Sequence, residues 1–216
     1  VLHLFCRARP GTDAEAVSAA AKVAEAAGQQ VVTAALVGHK ADMGFMLLGE
    51  DLAGLRRTQS ALSSAGLEVT YSYLSLTEVS EYAQGLSPGR RQARLYPRLP
   101  PAGKAVFCFY PMSKRRGEVY NWYRLGYDRR EALMHDHGAT GRRFAGRVLQ
   151  LVTASTGLDD FEWGVTLFAR AADDLKDCVY AMRFDEASAR YAEFGPFYVG
   201  LVRPVGEVLT LCGLSA

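Results

Sequence analysis

Apolar and polar positions alternate along this chain in two rhythms, one of strand period and one of helix period, and the switches between them mark the elements. A short apolar run, Val1 to Ala8, is broken at Pro10-Gly11. Thr12 or Asp13 then caps an Ala-rich segment of helical period that runs to Ala27 and is ended by Gly28. Gln30 to Val37 and Met43 to Leu48 read as strands joined by Gly38-His39-Lys40, and Asp51 to Ser64 returns to the helical period with Leu52, Leu55 and Leu62 along one face. Leu67 to Leu76 is strand-like again. The predicted order is β-α-β-β-α-β, the ferredoxin-like unit.

The stretch from Ser87 to Arg98 interrupts this rhythm: it is rich in Pro, Gly and Arg and reads as a linker. After it the rhythm recurs, with a strand from Lys104, a helix from about Asp128, strands at Arg147 to Thr153 and Glu162 to Phe168, a helix from Ala172 to Met182, and a last strand through Phe197 to Val202. The expected organisation is an N-terminal ferredoxin-like half (1–86), a linker (87–103) and a C-terminal ferredoxin-like half (104–216). Two units of one topology imply an α+β fold made by duplication, with the sheets packed together. The halves share no obvious sequence, so this rests on element order alone.

Composition changes the picture little. The chain has 216 residues, soluble-protein proportions of apolar and charged residues, and a net charge of +2, too small for a general nucleic-acid or membrane surface. A partner is to be sought locally. Cys6, Cys108, Cys178 and Cys212 form no C-x-x-C pair and read as reduced thiols, which points to a cytoplasmic protein. No apolar run reaches membrane-spanning length, and the start carries no basic segment followed by an apolar one.

Candidate chemistry concentrates between Phe107 and Gly141. Tyr110 closes the apolar run from Ala105 and needs a polar partner or a cavity for its phenol, and Lys114 lies four residues on. His135 and His137, two apart on a helix, point some 200° apart and cannot chelate one ion together. His137 shares a face with Leu133, Met134 and Gly141, which suits either an axial ligand to a planar cofactor or a satisfied core histidine. Gln150 alternates with Leu149 and Leu151 and shares a side with Val148 and Val152, as a polar residue on an apolar face or as a glutamine bonded to backbone at a sheet edge. Arg183 can pair with Asp185 or Glu186, or, with Ser188 and Lys114, bind carboxylates. Trp122, Trp163, Asp159, Asp160, Met134 and Met182 read as structural, and His39 as a turn histidine of open role.

Several segments resemble one family: YPMSKRR (Tyr110 to Arg116), NWY (Asn121 to Tyr123), LMHDHG (Leu133 to Gly138), GLDDFEWGVTLF (Gly157 to Phe168) and VYAMRFDEASARYAEFGPFYVG (Val179 to Gly200). They are similar to signatures of the coproheme decarboxylases, a branch of the chlorite-dismutase-like family. VGHKAD (Val37 to Asp42) and the run from Tyr71 to Tyr82 are looser echoes. The resemblance implies a dimeric α+β barrel assembled as a homopentamer. It also implies oxidative removal of two propionates of coproheme III by hydrogen peroxide to give haem b, with the iron porphyrin serving as substrate and redox cofactor and no other metal or nucleotide. It places His137 as the proximal iron ligand, Gln150 over the distal side, Tyr110 as the hydrogen-abstracting radical, and Lys114, Arg183, Ser188, Arg94 and Tyr82 at the propionates. The Arg94 match needs two extra residues in the turn near Pro101 to Gly103. Chlorite dismutases carry an arginine where Gln150 stands, so the neutral amide favours the decarboxylase branch. The rival readings are chlorite dismutase-like or peroxidase activity, a haem-binding protein without turnover, and a cofactor-free monooxygenase that needs no axial histidine. Some relatives use a distal histidine base; with none between His39 and His135, slow peroxide chemistry favoured by alkaline pH is expected.

Overall fold

The computed structural model of the chain describes residues 1–83 and 85–214. In order, the elements are β1 (Leu2–Ala8), α1 (Ala14–Ala26), β2 (Gln30–Leu36), β3 (Met43–Leu48), α2 (Leu52–Ser64), β4 (Leu67–Leu74), β5 (Leu76–Thr77), α3 (Pro88–Leu95), β6 (Val106–Lys114), α4 (Tyr127–Arg142), β7 (Val148–Ala154), β8 (Trp163–Ala169), α5 (Ala172–Met182), α6 (Glu186–Ala189), β9 (Ala192–Phe194), β10 (Tyr198–Val202) and α7 (Val205–Leu211). Short 3-10 turns occupy Glu81–Ala83 and Trp122–Arg124. Two compact units result, Val1–Ser75 with Tyr198–Ala216, and Leu76–Phe197. Among the described residues no helix is long and apolar enough to cross a membrane.

The first unit has the antiparallel order β4-β1-β3-β2-β10. Leu4, Cys6, Phe45 and Leu47 meet Val17 of α1, Leu55 and Leu62 of α2, and Val208 and Leu209 of α7 in one core. Asp13, rather than Thr12, caps α1 by accepting from the Ala16 amide, and Asp51 caps α2 at Ala53 and Gly54. His39 is exposed in the turn after β2, where its carbonyl accepts from Arg7 at 2.8 Å.

The second unit repeats the topology, with β9, β6, β8, β7 and β5 side by side in that order. Because successive side chains of a strand point to opposite faces, the register sorts the site residues. Cys108, Leu167 and Gln150 share one face, as do Tyr110, Val165 and Val152. Phe107, Phe168 and Leu149 lie on the other. Helix α5 packs against β6, β7 and β8 with Leu175 and Cys178 buried.

Three expectations change. Tyr110 does not end its strand: it is the fifth of nine residues, and β6 continues through Pro111 to Lys114. Proline is tolerated because its carbonyl accepts from the Gly195 amide at 2.9 Å. Its missing N–H therefore points to the β9 side, where the β9 ladder begins only at Met112, and the pairing to β8 loses nothing. Part of the expected linker is helical, since Pro88 at the first turn is compatible with a helix and Arg, Gln, Ala and Leu follow. The strand after α2 breaks at Ser75, whose amide bonds to the Val1 carbonyl. All four cysteines are free, three of them buried and Cys212 half-buried.

The turn from β9 to β10 leaves no room for a side chain at Gly195, where an added Cβ would lie 2.6 Å from Pro111 Cγ and 2.8 Å from a ring carbon of Phe161. Gly195→Ala is expected to destabilise the protein by about 1–3 kcal/mol through overpacking. The melting temperature should fall by about 2–4 °C per kcal/mol in a calorimetric scan.

Candidate functional site

Helix α4 brings His137 to the site through its own packing. Leu133, one turn earlier, is buried with Trp122, Ala187 and Tyr191, and Met134, Tyr82 and Leu125 pack against that cluster. His135 leaves this contact, its side chain 75% exposed beside Asp136, whereas that of His137 is 24% exposed. The two histidines diverge as their spacing requires.

His137 is held by Asp185, whose Oδ2 lies 3.1 Å from Nδ1. Asp185 is also the N-cap of α6: its Oδ1 accepts from the Ser188 amide at 3.0 Å and its Oδ2 from the Ser188 hydroxyl at 3.2 Å. Burial works against the charged carboxylate, but the hydrogen bonds from His137 and Ser188 prevail and hold its pKa below the ordinary value. An ionised carboxylate only accepts, so the neutral imidazole carries its proton on Nδ1 and presents the lone pair of Nε2. Metal-binding histidines are oriented by such partners. No group of three or more His, Cys, Asp or Glu able to hold an ion occurs among the described residues. One oriented imidazole fits a metal that arrives with its other ligands, as haem iron does.

Tyr110 and Lys114, four apart on β6, share a face of the sheet about 13 Å apart along the strand. The Tyr110 ring stacks on Phe197 (4.4 Å between centroids) and tilts against Phe194 (5.8 Å). Burial first, and then the neighbouring Cys108 and Cys178, push the phenol pKa up, opposed by the Arg183 guanidinium, so the hydroxyl keeps its proton. Lys114 is buried. Its Nζ donates to the Ala187 carbonyl at 3.1 Å and stands 4.1 Å above the Trp122 ring, while its amide donates to the buried Glu162 at 2.7 Å. Burial pulls its pKa down to about 8, against the nearby charges of Asp185 and Glu162.

Gln150 is exposed, as is Val152 beside it, while Leu151 and Thr153 on the opposite face are buried. Gln150 and Val152 thus form an open margin at β7 on the face they share with Tyr110, Val165 and Leu167, which are buried. Arg183 pairs with neither Asp185 nor Glu186. Asp185 is engaged by His137 and Ser188, Glu186 by Arg129 and Arg190, and the Arg183 guanidinium lies 3.8 Å over the Phe194 ring. Ser188 sits beside His137, its hydroxyl turned to Asp185. The Tyr82 hydroxyl accepts from Arg130 Nε at 2.9 Å, and its ring meets Trp122 edge-on. Arg94 is exposed on α3. Phe194 links Tyr110 to Arg183, and Lys114 lies between the Trp122 cluster and Asp185.

Sequence reasoning passes over Asp185 as the partner of His137, Glu162 behind Lys114, and Trp122 beneath it. Asp185 carries a usable signal, an Asp three residues before Ser188, which is the spacing of a helix N-cap.

A protein-family model described as chlorite dismutase matches residues 12–203. The coproheme decarboxylase of Staphylococcus carnosus is 46% identical to this chain, over 78% of this chain and 71% of that protein. Among solved structures, a haem-binding protein from Thermus thermophilus superposes with a TM-score of 0.87 at 37% identity, covering 99% of this chain and 94% of that one. A variant chlorite dismutase from Candidatus Nitrospira defluvii, 18% identical, shares the fold with a TM-score of 0.77 over 98% of this chain and 94% of its own.

Lys114 makes stability depend on pH in a defined direction. With its folded pKa below the ordinary lysine value, the unfolded chain binds more protons above about pH 8, so stability rises with pH there. Relative to Lys114→Met, the wild type should gain stability between about pH 7 and pH 10, by up to about 1.4 kcal/mol per pH unit at the steepest. Urea denaturation across this range checks it, and a flat difference would show that Lys114 keeps an ordinary pKa.

Proposed function

Because the chain belongs to the chlorite dismutase family, we propose that it is a coproheme decarboxylase, converting coproheme III to haem b with hydrogen peroxide. The observation that carries this reading is the pair of arrangements in the second unit: an imidazole held by Asp185 through Nδ1, which would leave Nε2 to bind iron, and a sheet face on which a protonated buried phenol, a buried lysine and a neutral amide are aligned. For each propionate, the carboxyethyl group and one peroxide become a vinyl group, carbon dioxide and two waters. Bound iron porphyrin supplies the reduction of peroxide and the oxidising equivalents.

The residues divide the remaining work. His137 Nε2 is the ligand offered to iron, and Asp185 keeps its proton on Nδ1. Tyr110 can give up proton and electron together from one hydroxyl, and the radical left is suited to taking hydrogen from the propionate β-carbon, which the attached porphyrin ring activates; its raised pKa keeps the phenolic hydrogen in place beforehand. Lys114, with a pKa about 8, can hold a carboxylate as ammonium and exchange a proton near neutral pH. Arg183, Ser188, Arg94 and Tyr82 are the further propionate-binding residues. Gln150 offers an amide where chlorite chemistry calls for a cation, which favours decarboxylation. The family resemblance also supports a cytoplasmic homopentamer.

Ferric coproheme titration separates the histidines. His137→Ala should lose most affinity or give a spectrum of water or hydroxide ligation, whereas His135→Ala should titrate as wild type. The reverse result would refute the axial assignment.

Tyr110→Phe tests the chemistry. The variant should fold and bind coproheme almost as wild type yet release no haem b or carbon dioxide on addition of peroxide. If Tyr110 only anchors a propionate, the loss is about 1.5–3 kcal/mol of binding with turnover kept at saturation. Haem b formed at wild-type rate by the saturated variant would rule out the radical role. A wild-type complex that takes peroxide without releasing carbon dioxide would instead indicate a haem-binding protein without this activity.

A further inference from the structure

Around Trp122 the second unit assembles oxidisable rings to which the proposed reaction gives no redox role, Tyr82 serving there only to bind a propionate. Trp122, 3% exposed, meets Tyr191 at 5.5 Å between centroids and Tyr82 at 6.4 Å. Tyr191, itself buried, meets Tyr120 at 6.0 Å, and Tyr82 meets Tyr127 at 5.8 Å. Tyr120 and Tyr127 are each 37% exposed. Two branches thus run from one buried indole to the surface with no phenylalanine interposed. The root packs against Leu133, one turn before His137 on α4. The ring neighbours of Tyr110, by contrast, are Phe194 and Phe197, which do not oxidise readily. One phenol is insulated from other aromatic donors while five rings elsewhere are in series.

We propose that the Trp122–Tyr191–Tyr120 and Trp122–Tyr82–Tyr127 branches form a protective outlet, passing oxidising equivalents left by peroxide without decarboxylation away from bound haem to the protein surface. The proposal rests on the reading that the chain binds haem and meets peroxide. Electron transfer between rings in near contact is fast, and a tyrosine becomes a stable end point where its proton has an acceptor. Tyr127 has one, its hydroxyl lying 3.4 Å from Glu131 Oε1, and Tyr120 has solvent. Each peroxide takes two electrons and two protons to become two waters. Two terminal tyrosines each give one electron and the phenolic proton, and the two phenoxyl radicals are then quenched by a small one-electron reductant such as ascorbate.

The test uses the full protein loaded with haem b, treated with hydrogen peroxide in the presence of a nitroso spin trap and mapped by peptide mass spectrometry. Adducts are expected at Tyr120 and Tyr127, although Tyr96 and Tyr180 are more exposed, at 59% and 61%. Tyr191→Phe keeps the packing but breaks one branch, so the Tyr120 adduct should fall several-fold while that at Tyr127 persists. In Tyr120→Phe/Tyr127→Phe, which alters only half-exposed positions, the Soret band should bleach several-fold faster under peroxide. Adducts distributed by exposure, or a Tyr120 adduct unchanged in Tyr191→Phe, would overturn the outlet while leaving haem binding intact. Failure of the wild type to develop a Soret band with haem would refute the underlying reading instead.

Discussion

The arrangement of the second unit depends on one buried carboxylate. Asp185 caps α6 through the Ser188 amide, accepts the Ser188 hydroxyl, and faces the Nδ1 of His137, so three groups from two helices are fixed by two oxygens. A carboxylate this far from water is costly unless its lone pairs are filled by donors, and here they are. Lys114, whose charge Asp185 also feels, adds a cation without a direct contact. Removing the carboxylate would do three things together: free the imidazole to choose its tautomer, undo the cap of a helix of only four residues, and leave Lys114 with less compensation for its burial.

The second determinant is the two-residue period of the sheet. It puts Tyr110 and Lys114 on one side of β6 and, through the ladder with β8, aligns Gln150 on the same side two strands away. A shift of one residue in the β6–β8 pairing would turn the phenol and the ammonium to the face that carries Phe168 of β8, and would bring Phe107 and Phe109 round to take their place. The Pro111 carbonyl bond to Gly195 holds the opposite, β9-side edge of β6 at the point where a proline would otherwise weaken the strand.

Much of this is legible in the sequence, because elements with strong periodicity declare themselves: α5 runs Ala172–Met182 and β3 runs Met43–Leu48, as their patterns indicate. The divergence of His135 and His137 follows from helical geometry alone. The differences have identifiable causes. Arg183 is one of several cations near Asp185 in sequence, and which of them pairs with it depends on the placement of α4, which local sequence does not encode. An end of β6 at Tyr110 is the natural expectation because Pro111 normally stops a ladder, and only the position of β9 shows that no donor is missed. Helix α3 is hidden by a composition shared with linkers. Gln150 sits among apolar neighbours in sequence, yet it is exposed while Leu167, paired with it on the same face, is buried, because cover is a property of packing and not of alternation.

The division of the chain has a consequence for its biosynthesis. The first unit is discontinuous: it leaves off at Ser75 and resumes at Tyr198, so β10 and α7 are translated after the whole second unit. Until then β2 has an unpaired edge and the core lacks Val208 and Leu209. On the ribosome, the segment made first is therefore not the segment completed first, and an early free edge of this kind is the feature that exposes nascent chains to wrong pairing. A cut between Ser75 and Leu76 would for the same reason not yield two self-sufficient halves. The unit without the candidate site depends on the C-terminal strand and helix to finish its own sheet and core.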